Sequence, residues 1–169
     1  MAFNFSNIIN LVSQFIPKRK IESAISNLAH KAIKKILTPP NPAAVSLINS
    51  FFEALHLPTD ADRQKAILPL VHKSLVYNDK TGPVLDRTIR DYSYSRAVKN
   101  YGLYQFPVNI TEVHQGNTFT VGAGSSAELG RTDKYFVAKR SGVAGLPAPV
   151  EVFFPSQGGA PSLINFGSL

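Results

Sequence analysis

The stretch PVEVFFPSQGGAPSLINF, residues 149–166, decides how this chain folds. Its first part, Val150–Phe154, is rich in the β-branched and aromatic residues that favour strands. The segment Ser156–Gly159 that follows has the small polar residue and the glycines typical of a turn. Because a second apolar run, Leu163–Phe166, comes shortly afterwards, the stretch predicts two neighbouring antiparallel strands.

The strand pattern extends towards the N-terminus from this stretch, because apolar residues there recur at every second position. Val108 and Ile110 alternate with polar neighbours, and the segment Gln115–Asn117 predicts a hairpin turn into Phe119 and Val121. One more strand is predicted before the Gly- and Pro-rich loop that leads to residue 149. The second half of the chain is therefore expected to form an antiparallel sheet.

Helical spacing precedes the sheet. Apolar side chains in Val45–Leu55 recur three and four residues apart, and Asn41 followed by Pro42 supplies an N-cap and a first helical residue. A second helix is predicted from Thr59, whose hydroxyl can cap it, and a third from Val84 to about Tyr101. A short strand is expected between the second and third helices.

This order of elements indicates an α+β fold, because alternating βαβ units would interleave helices and strands throughout. We expect a cone-shaped, curved antiparallel sheet packed on about three helices. A chain of 169 residues is long enough for one domain with a substantial core. Its lack of cysteine excludes disulfides, thiolate metal sites and cysteine nucleophiles.

The N-terminal segment differs in character from the rest. An apolar stripe runs from Ile21 to Ile36 at helical spacing, with lysines off the stripe, and the Pro-rich segment Thr38–Pro42 ends it. We therefore predict a basic amphipathic helical leader with a Pro-rich connector at residues 1–42, and an α+β domain at residues 43–169.

The basic charge is concentrated in the leader. Six of the 18 Lys and Arg side chains, but only one of the 11 acidic side chains, lie in residues 1–43. The rest of the chain is close to neutral, so we do not expect the domain to bind nucleic acid.

Targeting signals are not evident in the sequence. No apolar run approaches the ~20 residues of a membrane helix. The apolar stretch Ile8–Ile16 precedes the positive cluster Lys18–Lys20, which is the reverse of the order in a secretory signal. Together with the absence of cysteine, these features favour a cytoplasmic location, although the compartment stays unknown.

Several stretches together resemble the nuclear transport factor 2-like superfamily, and its SnoaL-like polyketide-cyclase branch most of all. They are VSLINSFFEAL at 45–55, LPLVH at 68–72, LVY at 75–77, KYFVA at 134–138, PVEVFF at 149–154 and INF at 164–166. The resemblance covers residues 43–169 and rests on element order and apolar pattern. It implies a cone-shaped α+β barrel with an apolar pocket between helices and sheet, frequently dimerising through the sheet.

Members of this superfamily include isomerases, dehydratases and cyclases as well as non-catalytic binding or assembly modules, so the fold does not settle the function. The resemblance implies acid–base chemistry by Asp, His or Tyr in an apolar cavity, where desolvation raises the pKa of a carboxyl group. His72, Tyr77 and Asp79 are the candidate catalytic residues. Tyr77 is expected to line the interior from the short strand at 75–77. Simpler roles are a core tyrosine for Tyr77, a cap or surface histidine for His72 and a turn residue for Asp79.

Further polar residues are candidates for ligand binding. With a four-residue spacing, Asp86, Arg90 and Tyr94 would share one face of the third helix, either as a polar wall of the pocket or as an exposed salt bridge. The candidate ligand-binding residues are Tyr77, Asp86, Arg90, Tyr94 and Tyr101. Asp91 and Tyr92 lie on the same predicted helix, and His114 lies beside the predicted hairpin turn.

Motifs for metals and nucleotides are missing from the sequence. There is no paired-histidine metal spacing, nucleophile elbow, P-loop or dinucleotide fingerprint. We therefore expect neither a metal nor a cofactor.

Three functions follow from these observations. The first is a small-molecule-binding domain with an apolar pocket between helices and sheet. The second is an acid–base isomerase, cyclase or dehydratase acting on an apolar ring substrate, so whether the chain is an enzyme stays open. The third is a non-catalytic, oligomerising interaction protein whose leader binds a membrane or a partner.

The expected partners differ accordingly. They are an apolar small molecule, a second copy of the chain in a homodimer, and an anionic membrane surface or a partner protein bound through residues 1–37. The alternative for the leader is that it packs onto the body with its lysines solvated.

Overall fold

The structure, a computed structural model, describes residues 39–169, which form one of the two units into which the chain divides. The predicted leader lies outside the described residues. The elements are α1 (Pro42–Leu55), α2 (Asp60–Ile67), β1 (Val76–Asp79), β2 (Gly82–Leu85), a π-helical turn (Ile89–Tyr94) that continues into α3 (Ser95–Asn100), β3 (Ile110–Val121), β4 (Glu128–Val137), β5 (Ala148–Pro155) and β6 (Ser162–Asn165). The α+β fold class predicted from the sequence is confirmed.

The strands form two antiparallel sheets. One has four strands in the order β3-β4-β5-β6, and the other is the β1-β2 hairpin. Beside β6, Val71 forms a parallel bridge with Leu163, and the backbone N–H of His72 donates to the Leu163 carbonyl at 2.8 Å. The β6 edge is therefore covered by the segment after α2, whereas no strand within residues 39–169 pairs with the other edge of β3.

Helix α1 begins where the sequence predicts. The Asn41 side chain accepts hydrogen bonds from the backbone N–H groups of Ala43 and Ala44 at 2.9 and 3.4 Å, and Pro42 takes the first turn, where an N–H is not needed. Thr59 likewise caps α2 by accepting from the Asp62 N–H at 3.1 Å. Both predicted caps are confirmed.

The core lies between α1 and one face of the sheet. Phe51 and Phe52 of α1 are fully buried, and the Phe51 ring lies 4.8 Å from that of Phe166. The sheet contributes alternate residues to the same core, including Tyr135 and Val150. Burying each of these large side chains contributes roughly 1.5–3 kcal/mol, so this layer is the main source of stability.

The predicted third helix is wrong at its beginning. Residues from Val84 were expected to be helical, but Val84 lies in β2 and pairs with Tyr77 of β1. The hairpin turn explains the difference: the Asp79 carboxylate accepts from the Thr81 backbone N–H at 2.6 Å, and Gly82 takes a φ of 123° that other residues rarely adopt.

The predicted hairpin at Gln115–Asn117 is also wrong. These residues lie inside the single long strand β3, where the register with β4 shifts between Gln115 and Thr118. The shift is a β-bulge, and Gly116 is required there because a Cβ would overlap the backbone carbonyl oxygen of Thr132. The actual turn comes after Val121, around residues 124–126.

Candidate functional site

The segment that covers the β6 edge carries His72, one of the candidate catalytic residues. The His72 side chain caps a short 3₁₀ turn, because its Nδ1 accepts from the Ser74 backbone N–H at 3.2 Å and lies 2.8 Å from the Ser74 Oγ. Since Nδ1 acts as an acceptor, the neutral ring carries its proton on Nε2.

Glu128 at the start of β4 completes this cluster. Its carboxylate lies 3.5 Å from Nε2 of His72 and 3.1 Å from Nζ of Lys73. The imidazole, only 3% exposed, packs on the Phe153 ring with the centroids 4.9 Å apart. Two distant parts of the chain are thus joined by one half-buried acid, one lysine and one buried histidine, which we call the His72 cluster.

The electrostatics of the His72 cluster favour a neutral histidine. Burial lowers the pKa of His72 below its ordinary value of 6.5, and the Glu128 carboxylate opposes that shift only in part. The hydrogen bond from Lys73 lowers the pKa of Glu128, so the carboxylate is ionised at neutral pH. A neutral imidazole beside a serine and a carboxylate is the composition of an acid–base site, although in this structure the imidazole itself is buried.

Tyr94, a candidate ligand-binding residue, holds two helices together. Its buried hydroxyl donates to the Asp60 carboxylate at 2.5 Å, which links the π-helical turn to the start of α2. Burial, with the Asp60 charge adding to it, raises the pKa of Tyr94 far above its ordinary value. The hydroxyl therefore stays protonated and acts as a structural donor.

The side chains of Asp86, Arg90 and Tyr94 bind different partners. Arg90 pairs with Asp91 at 3.1 Å, while the Asp86 carboxylate accepts from the Thr88 N–H at 2.9 Å. Tyr94 instead binds Asp60, so the three side chains form neither a shared polar wall nor a salt bridge between Asp86 and Arg90.

Tyr77 does not line the interior. The prediction that it faces a cavity is wrong, because its ring is 61% exposed on the β1-β2 hairpin. Asp79 on the same strand shapes the hairpin turn, and hydrogen bonds from the Thr81 side chain and backbone lower its pKa. Both residues belong to a small surface hairpin outside the four-stranded sheet.

The remaining sequence candidates lie apart from one another. Tyr101 packs edge-on against His56, with ring centroids 4.7 Å apart. Tyr92 is exposed on the π-helical turn. His114 of β3 contacts the Glu112 carboxylate and the Phe136 ring. No common site within residues 39–169 collects these side chains.

Sequence reasoning missed a buried carboxylate on β4. Asp133 is almost fully buried, and Arg131 binds both its oxygens at 2.9 and 3.0 Å, while the Gly116 N–H of the bulge donates to it at 3.2 Å. The signal was the spacing Arg131-x-Asp133, because residues two apart on a strand share a face.

Tyr135 lies next along the face of β4 that carries Asp133. Burial and the nearby Asp133 carboxylate raise the pKa of Tyr135 to about 12, which keeps this hydroxyl protonated as well. The buried polar groups on this face are thus satisfied or neutral, as groups that stabilise a fold are.

Two further findings concern the described residues alone. No group of three or more potential ligands that could hold a metal ion occurs in residues 39–169. No helix in the same part of the chain has the length and apolar composition needed to cross a membrane.

Comparisons with known proteins leave the family unassigned. No protein-family model, curated protein or solved structure matches this chain. The resemblance to the nuclear transport factor 2-like superfamily therefore rests on the sequence stretches quoted above and stays a prediction.

Proposed function

We propose that this chain is a non-catalytic interaction protein that self-associates through the open edge of β3. The observation that carries the proposal is the contrast between the two edges of the four-stranded sheet. The β6 edge is covered by Val71 and His72, and the β3 edge is unpaired within the described residues.

The packing of the interior supports a non-catalytic interaction protein rather than an enzyme or a ligand-binding domain. The space between α1 and the sheet holds fully buried aromatic rings, including Phe51, Phe52 and Tyr135. His72 caps a turn and Tyr94 binds Asp60, so both candidates have structural partners. These placements give ligand binding and acid–base catalysis no added support, and both stay predictions.

The outer half of β3 has the properties of a strand that accepts another strand. Thr118–Val121 pairs with β4 in unbroken register beyond the bulge, and three of its four side chains are exposed, Phe119 among them. None of these residues is charged or a proline, the features that usually protect an edge strand from pairing.

The covered β6 edge decides the geometry of association. A head-to-tail contact would place β3 of one copy beside β6 of the next, where Val71 and His72 already lie. The open edge therefore pairs with the same edge of a second copy, which gives an antiparallel, two-fold symmetric dimer.

The test is the oligomeric state of the full-length chain by sedimentation velocity over a range of concentrations. We expect a dimer, and Thr120→Lys should weaken it by about ten-fold or more because a lysine on an edge strand opposes pairing with a second strand. Ser125→Lys adds the same charge in the exposed turn beyond β3 and should leave the dimer unchanged. A monomeric wild-type chain, or equal effects of the two variants, would refute the proposal.

The superfamily resemblance stays part of this proposal. Helices before an antiparallel sheet and bulges that bend the sheet are consistent with a nuclear transport factor 2-like domain. Because that superfamily includes non-catalytic assembly modules, the resemblance agrees with a protein that functions by association.

A further inference from the structure

We propose that a surface formed by Arg96, Lys139, Arg140 and Leu146, here called the basic–leucine patch, binds the surface of a membrane containing anionic phospholipid. This inference goes beyond self-association and does not depend on it. It concerns the body of the protein, where the sequence predicted little excess charge.

Tyr104 brings the cations of the patch together. Its backbone forms an antiparallel bridge with Lys139, and Nζ of Lys139 lies 6.0 Å from the centre of its ring. The positive charge of Arg96 acts on the same tyrosine from α3. Arg140 follows Lys139 and donates its backbone N–H to the Leu103 carbonyl at 3.0 Å. Two separate parts of the chain thus place cations around one ring.

The cations of the patch have no carboxylate partner among residues 39–169. Within residues 39–169, Arg96, Lys139 and Arg140 form no ion pair, whereas Lys73, Arg87, Arg90, Arg131 and Lys134 each have a carboxylate within 4.0 Å. The Lys139 ammonium donates to the neutral Ala144 carbonyl at 3.1 Å, which leaves its charge uncompensated. The patch is therefore complementary to an anionic surface.

Leu146 gives the patch an apolar tip. It is 85% exposed, more than any other large hydrophobic side chain in the described residues. The loop that carries it, residues 141–147, contains no charged side chain. The leucine follows directly after the segment that Lys139 binds, so cations and leucine lie side by side.

The loop around Leu146 is held in shape. The Val143 N–H donates to the Arg140 carbonyl at 3.1 Å, and Gly145 takes a φ of 111° with the Lys139 ammonium packed where a Cβ would lie. Because an ordered loop already holds this leucine exposed, its side chain can be buried in a binding partner at little cost in conformational entropy.

An anionic membrane surface fits this chemistry better than an acidic protein segment. A peptide is usually bound in a groove or along a strand edge, whereas this leucine is exposed on a loop whose backbone binds the Lys139 ammonium. That arrangement lets the leucine enter the headgroup boundary while each cation gains from the negative surface potential.

The experiment is co-sedimentation of the full-length chain with vesicles of phosphatidylcholine alone or mixed with phosphatidylserine. The leader, with its own lysines, is kept in every variant, so any difference reports on the patch. Arg96→Gln/Arg140→Gln should weaken partitioning onto the anionic vesicles by about 25-fold, from about five-fold for each cation. Leu146→Ser should weaken it by about ten-fold.

The matched control is Lys65→Gln/Lys80→Gln, which removes the same charge from two exposed lysines that also form no ion pair within the described residues. We expect wild-type partitioning for this control. Equal losses in the two double variants, or no loss from the patch variants, would overturn the proposal. Binding of poly-glutamate that depends on Arg96 and Arg140, without vesicle binding, would identify an acidic protein partner and would also overturn it.

Sedimentation velocity on the same samples separates this proposal from the dimer. The patch variants should keep the wild-type oligomeric state, and Thr120→Lys should keep the dependence on phosphatidylserine while losing self-association. Circular dichroism of each variant verifies that the fold is unchanged, because all the substituted side chains are exposed at the surface.

Discussion

The two edges of the four-stranded sheet end in different ways. At β6, Val71 and His72 continue the pairing, and the His72 cluster fastens that segment to the start of β4. At β3, the outer half of the strand is exposed and uncharged. The β6 edge is thus covered by hydrogen-bonded and buried residues, whereas the β3 edge has no strand partner within residues 39–169.

The largest effect on stability is expected where β4 and β5 pack together beside the His72 cluster. Gly130 of β4 lies against the Phe153 ring, and a Cβ there would overlap that ring and the Phe154 carbonyl oxygen. Gly130→Ala should therefore lower the free energy of unfolding by about 3 kcal/mol, measured by urea denaturation.

Gly102→Ala serves as the control for Gly130→Ala, because a Cβ at Gly102 meets no atom within 4 Å. It should change the stability by about 0.5 kcal/mol or less. Similar losses of unfolding free energy in the two variants would show that the packing of Phe153 does not stabilise this side of the sheet.

A smaller effect is expected from the histidine itself. His72→Ala removes a turn cap and a buried ring packed on Phe153, so it should cost about 2 kcal/mol of unfolding free energy. Thr120→Ala at the open edge should cost about 0.5 kcal/mol or less, since its side chain is exposed. Equal losses of unfolding free energy would show that the covered β6 edge contributes no more to stability than the open β3 edge.

The smallest expected effect is the pH dependence of the stability that His72 contributes at the β6 edge. The folded state lowers the pKa of His72, so below pH 6.5 the unfolded chain takes up the proton more readily than the folded one. The stability contributed by neutral His72 is therefore complete above pH 6.5 and declines as the pH falls through that value. Glu128, whose pKa is lowered, loses its contribution only at lower pH, below its ordinary value of 4.5.

Urea denaturation of the wild type and of His72→Gln, at neutral pH and at pH values below 6.5, measures this dependence. We expect the slope of stability against pH between about 5 and 6.5 to be smaller in the variant, which has no group titrating at this position. An unchanged slope would mean that His72 is not the source. Besides Glu128, the polar neighbours of the ring are Ser74 and Lys73.

The sequence predicted those features of the fold that depend on interactions between neighbouring residues. Asn41 and Thr59 cap helices because a side-chain oxygen two or three residues from an N–H needs no distant partner. The β-branched and aromatic residues of Val150–Phe154 placed β5 correctly, because strand propensity is also a property of neighbouring residues.

The sequence predictions were wrong where the local structure differs from what neighbouring residues indicate. Gly116 reads as a turn residue, but the carbonyl of Thr132 on the neighbouring strand makes it a bulge. The segment 89–94 reads as an ordinary α-helix, but it is π-helical in the structure.

The sequence by itself determined the α+β class, the helix caps and the order of helices before strands, because periodicity and capping act over a few residues. Only the tertiary structure decided which polar residues meet. Glu128 lies 3.5 Å from His72, Asp60 accepts a hydrogen bond from Tyr94, and the Lys139 ammonium lies over the Tyr104 ring, although each pair is far apart in the sequence. The physical reason is that such contacts depend on register and packing, which local composition does not specify.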